Sequence, residues 1–187
     1  MMLAIYLVII AVSIIADQIT KYAVVANMTQ GQSIPVIQDV LHITYVTNDG
    51  AAMGMMDDYR WIFMSVSTVA LIAMIVWICF SYKKMSKLSG IAFSMIIGGG
   101  IGNMIDRVFN GEVFGDGVVV DFIDFCAFPN LWKWIFNLAD SLVCVGVALV
   151  VIDMIIEEVV RYKRSREEKI SAKAPSEDAV TEKKEED

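Results

Sequence analysis

The sequence predicts an all-α integral membrane fold: four transmembrane helices with a small β-containing loop region on the extracytoplasmic side. Three observations carry this. Of 187 residues 57% are hydrophobic and the mean hydropathy is +0.60, against roughly 45–50% apolar content in soluble domains. Four apolar stretches approach the ~20 helical residues that cross a hydrocarbon core about 30 Å thick. Between the first two, residues 41–46 read Leu-His-Ile-Thr-Tyr-Val, a β-branched and aromatic run bounded by turn formers, as in a short strand or hairpin.

The expected spans are 3–26, 61–82, 89–108 and 135–156. The first lacks the basic start and small-residue cleavage pattern of a signal peptide and carries Asp17 and Lys21, so it reads as a retained span. Orientation follows from basic residues. The link between the second and third spans holds Lys83, Lys84 and Lys87, and the segment after the fourth holds Arg161, Lys163, Arg164 and Arg166. Both are therefore cytoplasmic. The loop 27–59 has no Lys or Arg and 109–134 has only Lys133, so these loops face outward and both termini inward. Trp132 and Trp134 suit interfacial anchors before the fourth span. Residues 1–160 read as the membrane domain, and 161–187 as a charged, disordered cytoplasmic tail.

Net charge is −7, all of it within residues 1–160, where seven basic residues face fourteen acidic ones; in 161–187 eight of each cancel. That balance disfavours nucleic acid as a partner. Cys79, Cys126 and Cys144 lack the spacing of a zinc site or redox pair, and the single histidine, His42, rules out a multi-His centre. No metal or cofactor is expected.

The polar residues inside the spans share a depth. Asp17 lies about 21 Å along the outward-running first span at 1.5 Å per residue. Asn103, Asp106 and Arg107 close the outward-running third, while Asn137, Asp140 and Ser141 open the inward-running fourth. Asp17 and Lys21 are four apart, Asn103 and Arg107 four apart, Asn137 and Asp140 three apart, so each set occupies one helix face. Polar groups in a span normally face the bundle interior or a wet cavity, and a common depth predicts one shared site. Gly98, Gly99, Gly100 and Gly102 before Asn103 read as close helix packing.

Without a usable His, Cys or Ser constellation, carboxylates carry the chemistry. Two close aspartates share a proton, so one activates water while the other polarises a carbonyl. Asp140 is a natural member. Asp121 and Asp124 both qualify as its partner, and periodicity excludes neither Asp17 nor Asp106, for which ion pairing, with Lys21 and with Arg107 or another charge, is the simpler reading.

Five blocks then occur in the order found in bacterial lipoprotein signal peptidases. They are Asp17-Gln18-Ile19-Thr20-Lys21, Asn48-Asp49-Gly50-Ala51-Ala52-Met53-Gly54, Gly99-Gly100-Ile101-Gly102-Asn103-Met104-Ile105-Asp106-Arg107, Val120-Asp121-Phe122-Ile123-Asp124 and Phe136-Asn137-Leu138-Ala139-Asp140. The chain resembles that family over most of residues 1–156. The resemblance implies an intramembrane aspartyl endopeptidase that cuts immediately before the lipidated cysteine of diacylglyceryl-modified prolipoproteins. It implies a dyad of Asp121 and Asp140, supported by Asp17, Lys21, Asn48, Gly50, Ala51, Asn103, Asp106, Arg107, Asn137 and Ala139. It further implies a bacterial cytoplasmic (inner) membrane location, a site near the outer leaflet, contact with membrane lipid and function as a monomer. Met53 stands where the family usually has Phe, and the interval from Asp106 to Asp121 is longer than usual. A small ion-coupled transporter and a non-enzymatic scaffold with Met-rich faces are the rival readings; the absence of an internal repeat weighs against the first.

Overall fold

The computed structural model describes residues 2–49, 60–110, 117–128 and 132–171. Its elements are α1 (Met2–Asn27), β1 (Ser33–Ile37), β2 (Leu41–Asn48), α2 (Arg60–Ser81), α3 (Lys87–Phe109), β3 (Val119–Phe125), β4 (Ile135–Phe136) and α4 (Leu138–Ser171). Met1–Val150 holds α1 to α3, the strands and the start of α4; Val151–Asp187 holds the remainder of α4.

Among the described residues, three helices are long and apolar enough to cross a membrane: Met2–Asn27, Trp61–Ser81 and Lys87–Phe109. Their side chains are arranged inside out. On α1, Asp17 is 0% and Lys21 3% exposed, whereas Ile15, Ile19 and Tyr22 are 57%, 60% and 75% exposed. Charge turned inward and hydrocarbon turned outward is what a lipid solvent selects. Tyr6, Ile78 and Ile97 form the buried centre joining α1, α2 and α3. Ser86 starts α3 by accepting from the Ser89 N–H at 2.9 Å.

Two glycines of α3 set how closely its neighbours approach. A Cβ on Gly102 would lie 2.5 Å from Asp17 Oδ2, and one on Gly99 would run into the Ala139 carbonyl of α4. The expected small-residue packing thus brings the polar faces of α1 and α4 onto α3.

The start of the fourth helix differs from the span expected at 135. Ile135 and Phe136 are extended and pair with Asp124 and Ile123, and the helix begins at Leu138. Its far end differs too. Residues 161–171 are helical rather than disordered, because the Glu and Arg/Lys residues there fall at helical spacing; Arg161 Nη1 sits 3.2 Å from Glu158 Oε2.

The strand expected at 41–46 is an inner strand of a four-stranded antiparallel sheet in the order β1-β2-β3-β4. Val120 and Phe122 of β3 pack on Val24 of α1, fastening the sheet to the helices. The pairing of β2 with β3 shifts register between Ile43 and Val46, and that bulge has a consequence for the site.

Candidate active site

Successive side chains on a strand alternate faces, so Asp121 and Asp124, three apart on β3, point opposite ways. Asn48 and Thr44 of β2, four apart, would point the same way on a regular strand. Yet Asn48 Nδ2 donates to Asp121 Oδ2 at 3.0 Å and Thr44 Oγ1 donates to Asp124 Oδ2 at 2.8 Å. The bulge supplies the extra residue that switches the facing of β2. It therefore lets β2 reach both Asp121, on the face of β3 that meets Asn137 at the start of α4, and Asp124, on the opposite face.

Asp121 and Asp140 converge on one residue. Asn137 Nδ2 donates to Asp121 Oδ1 at 2.7 Å, and the Asn137 backbone N–H donates to Asp140 Oδ2 at 3.1 Å. Asn137 Oδ1 in turn accepts from the Asp140 N–H at 2.9 Å. This reciprocal pair is a capping box at the start of α4, built from Asn and Asp. Asn103 of α3 closes the ring: its Nδ2 donates to Asp140 Oδ1 at 2.7 Å, and its Oδ1 accepts from Asn137 Nδ2 at 3.0 Å. The amides of Asn103 and Asn137 thus link the two aspartates.

Beneath them lies a charged layer. Lys21 Nζ sits 2.8 Å from Asp17 Oδ2 and 3.0 Å from Asp106 Oδ2, and donates to Asn103 Oδ1 at 2.9 Å. Each carboxylate also holds a backbone N–H: Asp17 Oδ1 accepts from Ala139 at 2.9 Å, and Asp106 Oδ2 from Val120 at 3.1 Å. Asp17 and Asp106 are therefore fully engaged in positioning α4 and β3. A buried ion cluster is tolerable only with such complete partnering.

Burial pushes the Asp121 carboxyl up to about 6, from an ordinary 3.8; the nearby charge of Asp140 raises it further, while donation from Asn48 and Asn137 and the charge of Lys21 oppose the rise. A buried carboxyl that takes a proton near neutrality, beside a second aspartate, is suited to acid–base work.

A family model described as signal peptidase (SPase) II matches residues 9–156. The chain belongs to the signal peptidase II family. Signal peptidase II is a membrane aspartic peptidase of lipoprotein processing, and the transporter reading is not favoured. Two solved bacterial membrane enzymes, determined by the in meso method at 2.3 and 1.9 Å resolution, are similar to this chain. The first is 33% identical, with 83% of this chain and 90% of that one covered, at a TM-score of 0.71. The second is 34% identical over 81% and 92%, at 0.68.

Of the residues singled out in the sequence, Asp17, Lys21, Asn48, Asn103, Asp106, Asp121, Asn137, Ala139 and Asp140 form one connected network in this signal peptidase II chain. Arg107 turns to α2, its Cζ 5.8 Å from the centre of the Phe63 ring. Gly50, Ala51 and Met53 lie outside the described residues. Gln18 was missed as a site residue. Its Nε2 donates to Asp106 Oδ1 at 3.0 Å and to the Gly102 carbonyl at 3.2 Å. Its place three residues before Lys21 was the available signal, but a neutral amide carries no mark of charge.

Proposed function

We propose that this protein hydrolyses diacylglyceryl-modified prolipoproteins immediately before the lipidated cysteine, with Asp121 and Asp140 as the catalytic pair. The observation that carries the proposal is Asn137, whose side-chain amide holds Asp121 at 2.7 Å while its backbone N–H holds Asp140 at 3.1 Å. One residue fixes two carboxyls of different environment. Asp121 is 3% exposed, and Asp140 is less buried, with its carboxylate at the positive end of α4.

The chemistry follows from that difference. Asp121 carries the shared proton and donates it to the scissile carbonyl oxygen, while ionised Asp140 takes a proton from the attacking water. The water oxygen bonds to the carbonyl carbon. Collapse of the resulting gem-diol returns a proton to Asp121, and Asp140 hands its proton to the departing amine of the cysteine as the C–N bond breaks. Asn48, Asn103 and Asn137 position the pair, and the Lys21 cluster holds the elements that carry it.

The membrane setting belongs to the same reading. The first 20 or so residues of α4 form a fourth span, both termini are cytoplasmic, and the site lies near the outer leaflet of the bacterial inner membrane. Substrate acyl chains then stay in hydrocarbon while the scissile amide reaches the polar layer, and one copy of the chain suffices. Trp132 and Trp134, ring centroids 5.4 Å apart and half exposed, suit the interface.

The test is cleavage of a diacylglyceryl-modified precursor by the purified chain in detergent. Asp121→Asn and Asp140→Asn, each shown folded by thermal unfolding, should slow turnover by roughly 10³-fold or more. Near wild-type turnover by either variant overturns the assignment.

A further inference from the structure

On the face of the sheet opposite Asp121, three metal-ligand side chains meet. His42 of β2 pairs in register with Asp124 of β3, and Cys126 follows the end of that strand, its N–H donating to the Val40 carbonyl at 2.9 Å. One ring nitrogen of His42, a carboxylate oxygen of Asp124 and Cys126 Sγ all lie within 4.8 Å of one another. Donors on one tetrahedral ion, at bond lengths of about 2.0–2.3 Å, stand about 3.4–3.8 Å apart. Closing the set therefore asks for side-chain shifts of about 1 Å.

The surrounding hydrogen bonds fix the state of the histidine. Thr44 spends its hydroxyl proton on Asp124 Oδ2 at 2.8 Å, so it accepts from Ser33 Oγ, 2.8 Å away. Ser33 has then spent its own proton and accepts from His42 Nδ1 at 3.2 Å. In the neutral ring Nε2 is consequently the bare lone pair. It is buried and has no hydrogen-bond partner among the described residues. This chain of donors from imidazole to carboxylate is the kind of outer layer that orients ligands in metal sites.

We propose that His42 Nε2, an Asp124 carboxylate oxygen and Cys126 Sγ bind one borderline-soft divalent cation of the Zn²⁺ class, with the fourth position left to water. Imidazole with a thiolate selects this class over Mg²⁺ or Ca²⁺. As the metal–sulfur bond forms, the Cys126 thiol proton leaves to solvent; nothing is oxidised or reduced. The site ties the start of β2 to the end of β3, on the other face of the strand from Asp121, and does not depend on the peptidase mechanism.

The full chain in detergent, stripped with EDTA and dialysed, is titrated with Zn²⁺ alone and separately with Co²⁺. Wild type should take up one Zn²⁺ per chain, with affinity lowered about tenfold or more in His42→Ala and Cys126→Ser and unchanged in a Cys79→Ser, Cys144→Ser chain. Co²⁺ should give a thiolate-to-metal charge-transfer band that Cys126→Ser lacks. Stripped wild type and Cys126→Ser should both still cleave the precursor, which shows that they are folded. No uptake by wild type, equal uptake by Cys126→Ser, or a cobalt spectrum without the thiolate band overturns the proposal. The cobalt band on the Cys79→Ser, Cys144→Ser chain, in which Cys126 is the one remaining thiol, decides the matter even if Cys126→Ser fails to fold.

Discussion

Asn137 and Asp140 cap one another across the first turn of α4, each donating its backbone N–H to the other's side chain, at 3.1 and 2.9 Å. The same Asn137 reaches Asp121 with its amide. Helix initiation and the spacing of the two carboxyls are thereby one structural event.

Asn137→Ala should therefore lose both. The cap is worth about 1 kcal/mol, and loss of the amide frees Asp121 from the position set for it, so turnover should fall by roughly 10²-fold with KM little changed. Asn137→Ser, which still caps, should recover the unfolding temperature but not the turnover. Paired thermal unfolding and cleavage kinetics check this.

Asp121 binds its proton more tightly in the folded protein than in the unfolded chain, so it weakens the fold once ionised. The penalty is absent below pH 3.8, grows through the window up to about 6, and is fully present above it. At about 1.4 kcal/mol per pH unit it reaches about 3 kcal/mol. Asp121→Asn should accordingly be more stable than wild type at pH 8, by up to that amount, and should lose the advantage near pH 4. Denaturation of both proteins at the two pH values measures it.

On the proposed mechanism the active form holds one proton on the pair. Because the Asp121 carboxyl stands at about 6, kcat/KM should decline above that pH, approaching a tenfold loss per further unit. The midpoint belongs to the coupled pair rather than to one residue. A rate profile that stays flat from pH 6 to pH 9 would contradict the assignment of the proton.

Lys21 neutralises two buried carboxylates, Asp17 and Asp106, at 2.8 and 3.0 Å. Lys21→Met leaves both uncompensated and should destabilise the protein by about 3–5 kcal/mol, read as a lower unfolding temperature and poor recovery from the membrane. Activity should fall with the folded fraction.

Much of this is legible in the sequence. The depth and helical spacing of Asp17, Asn103, Asp106, Asn137 and Asp140 are local properties, and they pointed to one shared site. The choice between Asp121 and Asp124 was not legible from periodicity. It depends on which face of β3 meets the start of α4 and on a bulge in β2 between Ile43 and Val46, both set by pairing between segments far apart in sequence. The same pairing brings His42 to Asp124 and Cys126, a grouping that cysteine spacing could not show. The start of α4 was misplaced because Ile135 and Phe136 are as apolar as a span, and only their pairing with β3 makes them a strand.

The most direct test of the central claim is a double-mutant cycle on turnover of the lipidated precursor, comparing Asp121→Asn, Asp140→Asn and the chain carrying both. If the two carboxyls act on one water, either single change disables the unit and the double variant is about as slow as the slower single one. A double variant slowed by the product of two independent factors, or a single variant close to wild type, would show that the two aspartates do not work together.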